Sequence, residues 1–372
     1  MTLNLWFCIS FVVGDLIRIL LLADTHLGFD LPVKPRINRR RRGHDFLANF
    51  ATALQPALSG DVDLVVHGGD VFNRSRPPGS VVWQAFEPLQ RIADRGVPVY
   101  VVPGNHERGR LPHLRFASHP HIHIFDQPRT FVAEVRGTRV ALAGFPSERD
   151  EVRRRFNSLV AGTSHHEVDA DIRLLCLHQC VEGATVGPAN YTFTTAPDVI
   201  CAGDIPSGFA ALLSGHIHRH QVLTTDLRGR SMSAPVLYPG SIERTSIAEA
   251  DEAKGYMIVE LTRQADRVNV AWRFHALPAR PIVRHDLQLE GLDATEVEST
   301  IRLLVANSPA DAVISVRVTG AITQDVSRVL SATFLRAVTP ATMNLDLRFA
   351  DGPGNVFHPR ARQHDDVLEL PL

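Results

Sequence analysis

Five apolar runs in this chain each stop at side chains that bind cations or phosphate, in a set order along the polypeptide. "LIRILLLAD" ends at Asp24, with His26 two residues on. "DLVVHGGD" ends at Asp70, and "VPVYVVPGNHE" ends at Asn105, His106 and Glu107. Further along, "IRLLCLH" delivers His178 and "FAALLSGHIH" delivers His216 and His218. A short apolar run bounded by turn residues reads as a buried strand. In open α/β sheets, ligands lie beyond the carboxyl ends of the strands. The chain is therefore expected to fold so that these ends converge on one face.

The rest of the chain can support such a fold. Its 372 residues are 44% hydrophobic and 21% charged, enough for one large domain and a small one. The formal net charge of −1 rules out a basic field over the whole molecule, so any contact with a polyanion must come from a local patch. Nearly all the positive charge is arginine, with lysine only at Lys34 and Lys254. Cys8, Cys176, Cys180 and Cys201 show neither CxxC spacing nor the density of a disulfide framework. They read as small buried hydrophobes of a protein in the reducing cytoplasm. The opening "MTLNLWFCISFVVGD" lacks a basic n-region and is interrupted at Gly14 and Asp15, short of a membrane span. Residues 1–15 are thus expected to be an extension ahead of a fold that begins near Leu16, with no membrane association.

Between the first three strands, the segments Phe46 to Leu58 and Val81 to Ala93 carry apolar residues at helical spacing, which predicts strand-helix-strand crossovers and parallel pairing. After Phe131 the strands come closer together, which predicts a second, more antiparallel sheet. "FHALPARP" places two prolines close together and reads as a linker. Beyond it, "IVRHDLQL", a helical run from Ala294 to Ala306, "AVISVRVTG", a helical run from Gln324 to Ala337 and "MNLDLRFA" predict a compact β-α-β-α-β unit. The expected organisation is an extension (1–15), a catalytic domain (16–275), a linker (276–281), an accessory or capping domain (282–350) and a tail (351–372).

A single Asp or His at a strand end is as a rule a cap or a surface residue, and a His-X-His pair is as a rule a turn. Their ordered coincidence at five strand ends carries the weight. The set is a ligand inventory for two cations: carboxylates and an amide oxygen as hard ligands, and imidazoles as borderline ones. Asp70 suits a bridging position. Two such ions, roughly 3.5 to 4 Å apart in known binuclear sites, clamp a phosphoryl group and acidify a bound water.

"DTH", "GGD", "GNHE", the isolated "LH" and "GHIH" resemble the ordered signature of calcineurin-like metallophosphoesterases, over Leu16 to about Leu261. More closely, "DTHLG", "SRPP", "VVPGNHER", "GFP", "GHIHRHQ" and "YPGSIERTSIAEADEAKGY" resemble the SbcD-type nuclease subunit of DNA repair and its archaeal and eukaryotic relatives. The resemblance implies an α/β fold: a metallophosphoesterase two-sheet sandwich flanked by helices (α/β/β/α), with a small C-terminal β-α-β-α-β accessory (capping) domain. It implies that Asp24, His26, Asp70 and His218 hold one ion and that Asp70, Asn105, His178 and His216 hold the other. It also implies that His106 faces the scissile phosphate as a catalytic residue and that Mn is the cofactor. The mixed ligand set also admits Fe, Zn or Mg.

Two features depart from that pattern. Asn73 stands where the nuclease relatives commonly carry His or Asp, so an acid, base or ordering contact is replaced by an amide. The SbcD subunit normally continues into a tail that docks on the coiled-coil ATPase SbcC. Little follows the last predicted strand here, which weighs against that partner while leaving it open; a homodimer is the other assembly the relatives imply. DNA is the expected partner. Lys34 to Phe46 carries five arginines between Arg36 and Arg42, so that Arg40, Arg41 and Arg42 are candidates for phosphate contacts beside a solvated-face reading of the same run. Asn73, Arg74, Arg76 and Arg108 are further candidates, and Tyr191 and Phe193 either stack a base or pack in the core. The favoured function is a metal-dependent DNA phosphodiesterase. The alternatives are an enzyme of the same fold acting on small phosphodiesters or phosphoproteins, for which Arg74 fits a phosphate-gripping role, and a non-catalytic scaffold.

Overall fold

The computed structural model describes residues 16–30, 40–107, 111, 118–264 and 267–349. The expectations for residues 1–15, the run from Lys34 to Arg39, Arg108 and the tail fall outside the described residues. The chain divides into two compact units. The larger comprises the described residues of Met1–Phe29 with Asp45–Ala279, and the smaller those of Asp30–His44 with Arg280–Leu372. No helix among the described residues is long and apolar enough to cross a membrane.

The larger unit is built on two six-stranded sheets. The first runs in the order Arg267–Ala276, Gly255–Gln264, Ile17–Leu22, Leu64–His67, Val99–Val101, Ile122–Ile124. The second runs Gln221–Thr225, Ser231–Tyr238, Ala211–Gly215, Ile172–His178, Thr138–Gly144, Arg129–Val135. Strand alternation sends one side of each sheet into a shared core. Ile17, Ile19, Leu21, Leu64 and Val66 from the first meet Leu142, Leu174, Cys176, Leu213 and Leu237 from the second, all wholly buried. Each such side chain contributes about 1.5–3 kcal/mol by leaving water.

The outer faces are covered by helices. Gly79–Ala93 packs on Val99–Val101 and Ile122–Ile124. Val152–Gly162 buries Phe156 and Val160 against Leu175, Leu177 and Val236 of the second sheet. The α/β/β/α layering predicted from the motifs is thus present.

The second sheet is not more antiparallel than the first. Each sheet joins its strands by three parallel and two antiparallel pairings. The helix Val152–Gly162 supplies the crossover between Thr138–Gly144 and Ile172–His178, and the long excursion after His178 supplies the next. Close spacing along the sequence reflects the two edge hairpins only.

In the smaller unit, Ile282–Gln288, Val313–Thr319 and Asn344–Phe349 form a three-stranded parallel sheet. The helix Ala294–Ala306 opens with a capping box between Asp293 and Glu296. The helical run expected over Gln324 to Ala337 is two helices, Gln324–Val329 and Ala332–Val338. Ser331 leaves helical geometry and its hydroxyl accepts from the Phe334 N–H, starting a new helix where periodicity alone sees none. Val297, Ile301, Val316 and Val326 close this second core.

The backbones of the larger unit's two sheets come into direct contact at Gly68 and Gly215, just past Leu64–His67 and at the end of Ala211–Gly215. A Cβ on Gly215 would lie 2.3 Å from the Gly68 carbonyl oxygen. Backbone rather than a flexible side chain blocks it. Gly215→Ala is expected to lower unfolding free energy by about 3 kcal/mol or more, read as a shift in the urea midpoint with unchanged slope. An unchanged midpoint would show that the sheets are free to part here.

Candidate metal centre

The chain turns sharply at three of the ligand-bearing strand ends. Asp24, His26, Asp70 and His216 adopt left-handed φ values of 51°, 41°, 51° and 83°. Such conformations cost non-glycine residues about 1–3 kcal/mol each and persist where the surroundings demand them. Here they swing consecutive side chains from the sheet axis into one pocket. Gly104 makes room: a Cβ there would lie 2.1 Å from Asp70 Oδ1.

All seven residues expected as ligands come together. Asp24, His26 and His218 offer donor atoms within 4.8 Å of one another, and so do Asp24, Asp70 and His178, and His26, Asp70 and His106, so Asp24, His26 and Asp70 each belong to two of the three groups. His26 Nε2 lies 3.0 Å from His218 Nε2 and 4.0 Å from Asp70 Oδ2. On the other side, Asn105 Oδ1 is 2.9 Å from His178 Nε2 and 3.0 Å from His216 Nδ1, while Asp70 Oδ2 is 3.4 Å from His178 Nε2. Asp70 therefore stands between the two clusters.

The donor set fits cations. His178 Nδ1 lies 2.8 Å from the Gly68 carbonyl oxygen, a contact only an N–H makes, so in the neutral ring Nε2 presents its lone pair to the oxygens of Asn105 and Asp70. His218 Nδ1 is 3.1 Å from Glu249 Oε1, which leaves the His218 Nε2 lone pair facing His26. Lone pairs facing one another at hydrogen-bond distance repel. A proton relieves one such contact; a divalent cation relieves several at once. Among the described residues, buried His26 Nδ1 has no hydrogen-bond partner.

The electrostatics show the same crowding. Burial raises the Asp24 carboxyl despite His178 and His218 nearby. Burial alone would raise Asp70 too, but His178, His106 and His26 hold it well below the usual carboxylate range. Burial disfavours the charged His178 imidazole, and Asp70 outweighs this and lifts it to about 9. Its neighbour His216 is lowered to about 3 by burial and by His178.

His106 sits beside this set. Its backbone N–H donates to Asp70 Oδ1 at 2.9 Å, its Nδ1 is 3.0 Å from the Asn73 carbonyl, and its ring meets that of His26 edge-on at 4.7 Å. It is the most open imidazole of the group that pairs with Asp70, with its side chain 34% exposed. Asn73 thus contributes its backbone to the arrangement. Arg74 and Arg76 are exposed on the turn that follows. Arg41 pairs with Asp30, which also accepts from the Arg42 N–H, and Arg40 lies 3.9 Å from Asp311, all within the smaller unit. Phe193 is buried in the core, whereas Tyr191 is 41% exposed and packs edge-on against it.

Three further groups support the ligands, and the motifs name only Glu107 among them, without a role. Buried Glu107 accepts from the N–H groups of Phe72 and Gly104, each at 2.8 Å, tying the Asp70 turn to the Asn105 turn. Burial and then Asp70 push its carboxyl up to about 8, against those two donors. Buried His67 lies 3.0 Å from Thr25 Oγ1 and accepts from the Gly69 N–H, and burial with His178 lowers it to about 3. Lys254, wholly buried, pairs with Glu249 and Glu252. Its signal was available: one of two lysines in an arginine-rich chain marks a place where a compact ammonium fits and a planar guanidinium does not.

Glu107→Ala leaves two buried N–H groups without an acceptor, at about 1–3 kcal/mol each. It is expected to lower stability by roughly 2–6 kcal/mol on that basis, measured by urea unfolding, with Glu107→Gln losing less. Equal stability of the alanine variant would contradict the clamp.

A family model described as calcineurin-like phosphoesterase matches residues 17–220. The DNA double-strand break repair protein Mre11 of Haloferax volcanii is 30% identical over 294 residues, which is 75% of this chain and 56% of that protein. The protein of the same name from Thermoplasma acidophilum is 23% identical over 84% of this chain and 81% of its own length. The SbcD component of the nuclease SbcCD of Bacillus subtilis is 27% identical over 65% of this chain and 66% of its own. The chain thus spans little more than half of the Haloferax relative. With the strand-end motifs, the layered sheets and the clustered ligands in agreement with that match, the chain belongs to the calcineurin-like phosphoesterase family.

Proposed function

We propose that this protein is a two-cation phosphodiesterase that cleaves DNA, as a nuclease of the SbcD and Mre11 kind. The observation that carries the reading is the pair of facing lone-pair clusters with Asp70 between them and His106 alongside. Asp24, His26, Asp70 and His218 would hold one ion and Asp70, Asn105, His178 and His216 the other, with Mn the proposed ion. Bound there, two divalent cations supply an acidified water and charge neutralisation for a phosphodiester.

The chain's own residues do the rest. The Asp70 carboxylate, fixed by the His106 N–H, holds the two clusters in register. The Asn73 carbonyl fixes the His106 ring through Nδ1 and Nε2 lies 3.8 Å from Asp70 Oδ2, at the edge of the cluster, where it would contact a phosphate oxygen or protonate the leaving oxygen. Arg74 and Arg76, exposed just beyond, would meet the flanking backbone phosphates. The names of the relatives, a break-repair protein and a nuclease component, favour DNA over a small ester. An SbcC-type ATPase partner and a homodimer belong to this same reading.

With Mn²⁺ and a labelled duplex bearing a free end, the protein is expected to degrade DNA. His106→Ala should lose about 10²–10⁴-fold in turnover while retaining both ions. Turnover of bis-p-nitrophenyl phosphate or a phosphopeptide with the duplex untouched would replace this reading with a small-substrate or phosphoprotein one. Loss of ions from His106→Ala would make that residue a ligand instead.

A further inference from the structure

The two clusters are backed differently. On one side, His178 Nδ1 rests on a neutral group, the Gly68 carbonyl. On the other, His218 Nδ1 rests on the Glu249 carboxylate at 3.1 Å. Glu249 lies across the imidazole ring from His26 and Asp24, so it stands outside the ligand cluster. Its two oxygens are fully engaged. Oε1 takes His218 Nδ1 and the Thr245 hydroxyl at 2.6 Å, while Oε2 takes the Thr245 N–H at 3.2 Å and Lys254 Nζ at 2.6 Å. Lys254 also reaches Glu252 at 3.2 Å and donates to the His218 carbonyl at 3.0 Å, so it grips both the carboxylate and the turn that it serves.

We propose that Glu249, locked by Lys254 and Thr245, is a positioning residue that orients His218 and makes the Asp24–His26–His218 site the tighter of the two cation sites. A carboxylate behind a ligating imidazole fixes its tautomer and raises its basicity, and a backbone carbonyl does this less strongly. The lock also explains the wholly buried lysine. Lys254 balances a carboxylate that would otherwise be a costly buried charge, and Glu249 directs its negative charge at His218. The inference rests on the two-cation reading above and assigns the two sites unequal strength.

The test is Mn²⁺ titration by calorimetry, with bound metal counted after gel filtration. The wild type is expected to take up two ions, one more tightly. Glu249→Gln/Lys254→Met removes both charges together and is expected to weaken the tighter site about 10–100-fold and leave the other unchanged. Added to His218→Ala, the same pair should cause no further loss, because its effect runs through that ring. If the double variant fails to fold, Thr245→Val, which removes one of the two donors that hold Glu249 Oε1 in place, should weaken the same site several-fold. Equal weakening of both sites, wild-type affinity at both, or a loss that adds to that of His218→Ala would overturn the inference alone. A wild type that takes up no pair of ions would overturn the two-cation reading, and this inference with it.

Discussion

Crowding of buried lone pairs is the constraint that shapes everything around it. Two carboxylates, four imidazoles and one amide oxygen meet where the sheets end, and Asp24, His26, Asp70 and His178 are essentially without solvent. Burying such groups unpaired costs several kcal/mol each, so their arrangement has to be enforced by the scaffold and compensated by charge. The left-handed turns at Asp24, His26, Asp70 and His216 are one part of that enforcement. The glycine-on-glycine approach of Gly68 and Gly215 is another, since it lets side chains from both sheets reach a common point.

Local strain at this site is offset by packing elsewhere, as at functional centres generally. Behind the turns lies the apolar sandwich, with Leu21 and Val66 of one sheet facing Cys176 and Leu213 of the other. Around them lie polar ties that bind turn to turn: Glu107 between the Asp70 and Asn105 turns, His67 under Thr25, and Glu249 behind His218. Strands set where each ligand begins, and these ties set where it points.

The ligands were legible in the sequence because each sits directly after an apolar strand, so one-dimensional order maps onto three-dimensional convergence. The layered fold was implied by the family resemblance that those motifs carry. The supporting groups were not legible in this way. Glu107 and Glu249 each tie a partner close in sequence to one 35 or 31 residues away, and the distant half of each tie leaves no mark on the local sequence. The pairing directions of the second sheet were misread because spacing along the chain does not reveal a crossover through the long excursion after His178. The break at Ser331 was missed because one hydroxyl accepting one N–H outweighs helical periodicity on either side. Phe193 in the core and Tyr191 half-open against it show that spacing alone does not tell which of two neighbouring aromatics is buried.

If side chains far apart along the chain grip a pair of cations with Asp70 between them, anomalous diffraction at the manganese edge from Mn²⁺-soaked crystals should show it. Two peaks are expected about 3.5–4 Å apart, one against Asp24, His26 and His218, the other against Asn105, His178 and His216, with Asp70 touching both. A single peak, or density with Asp70 turned away from it, would contradict the two-cation centre.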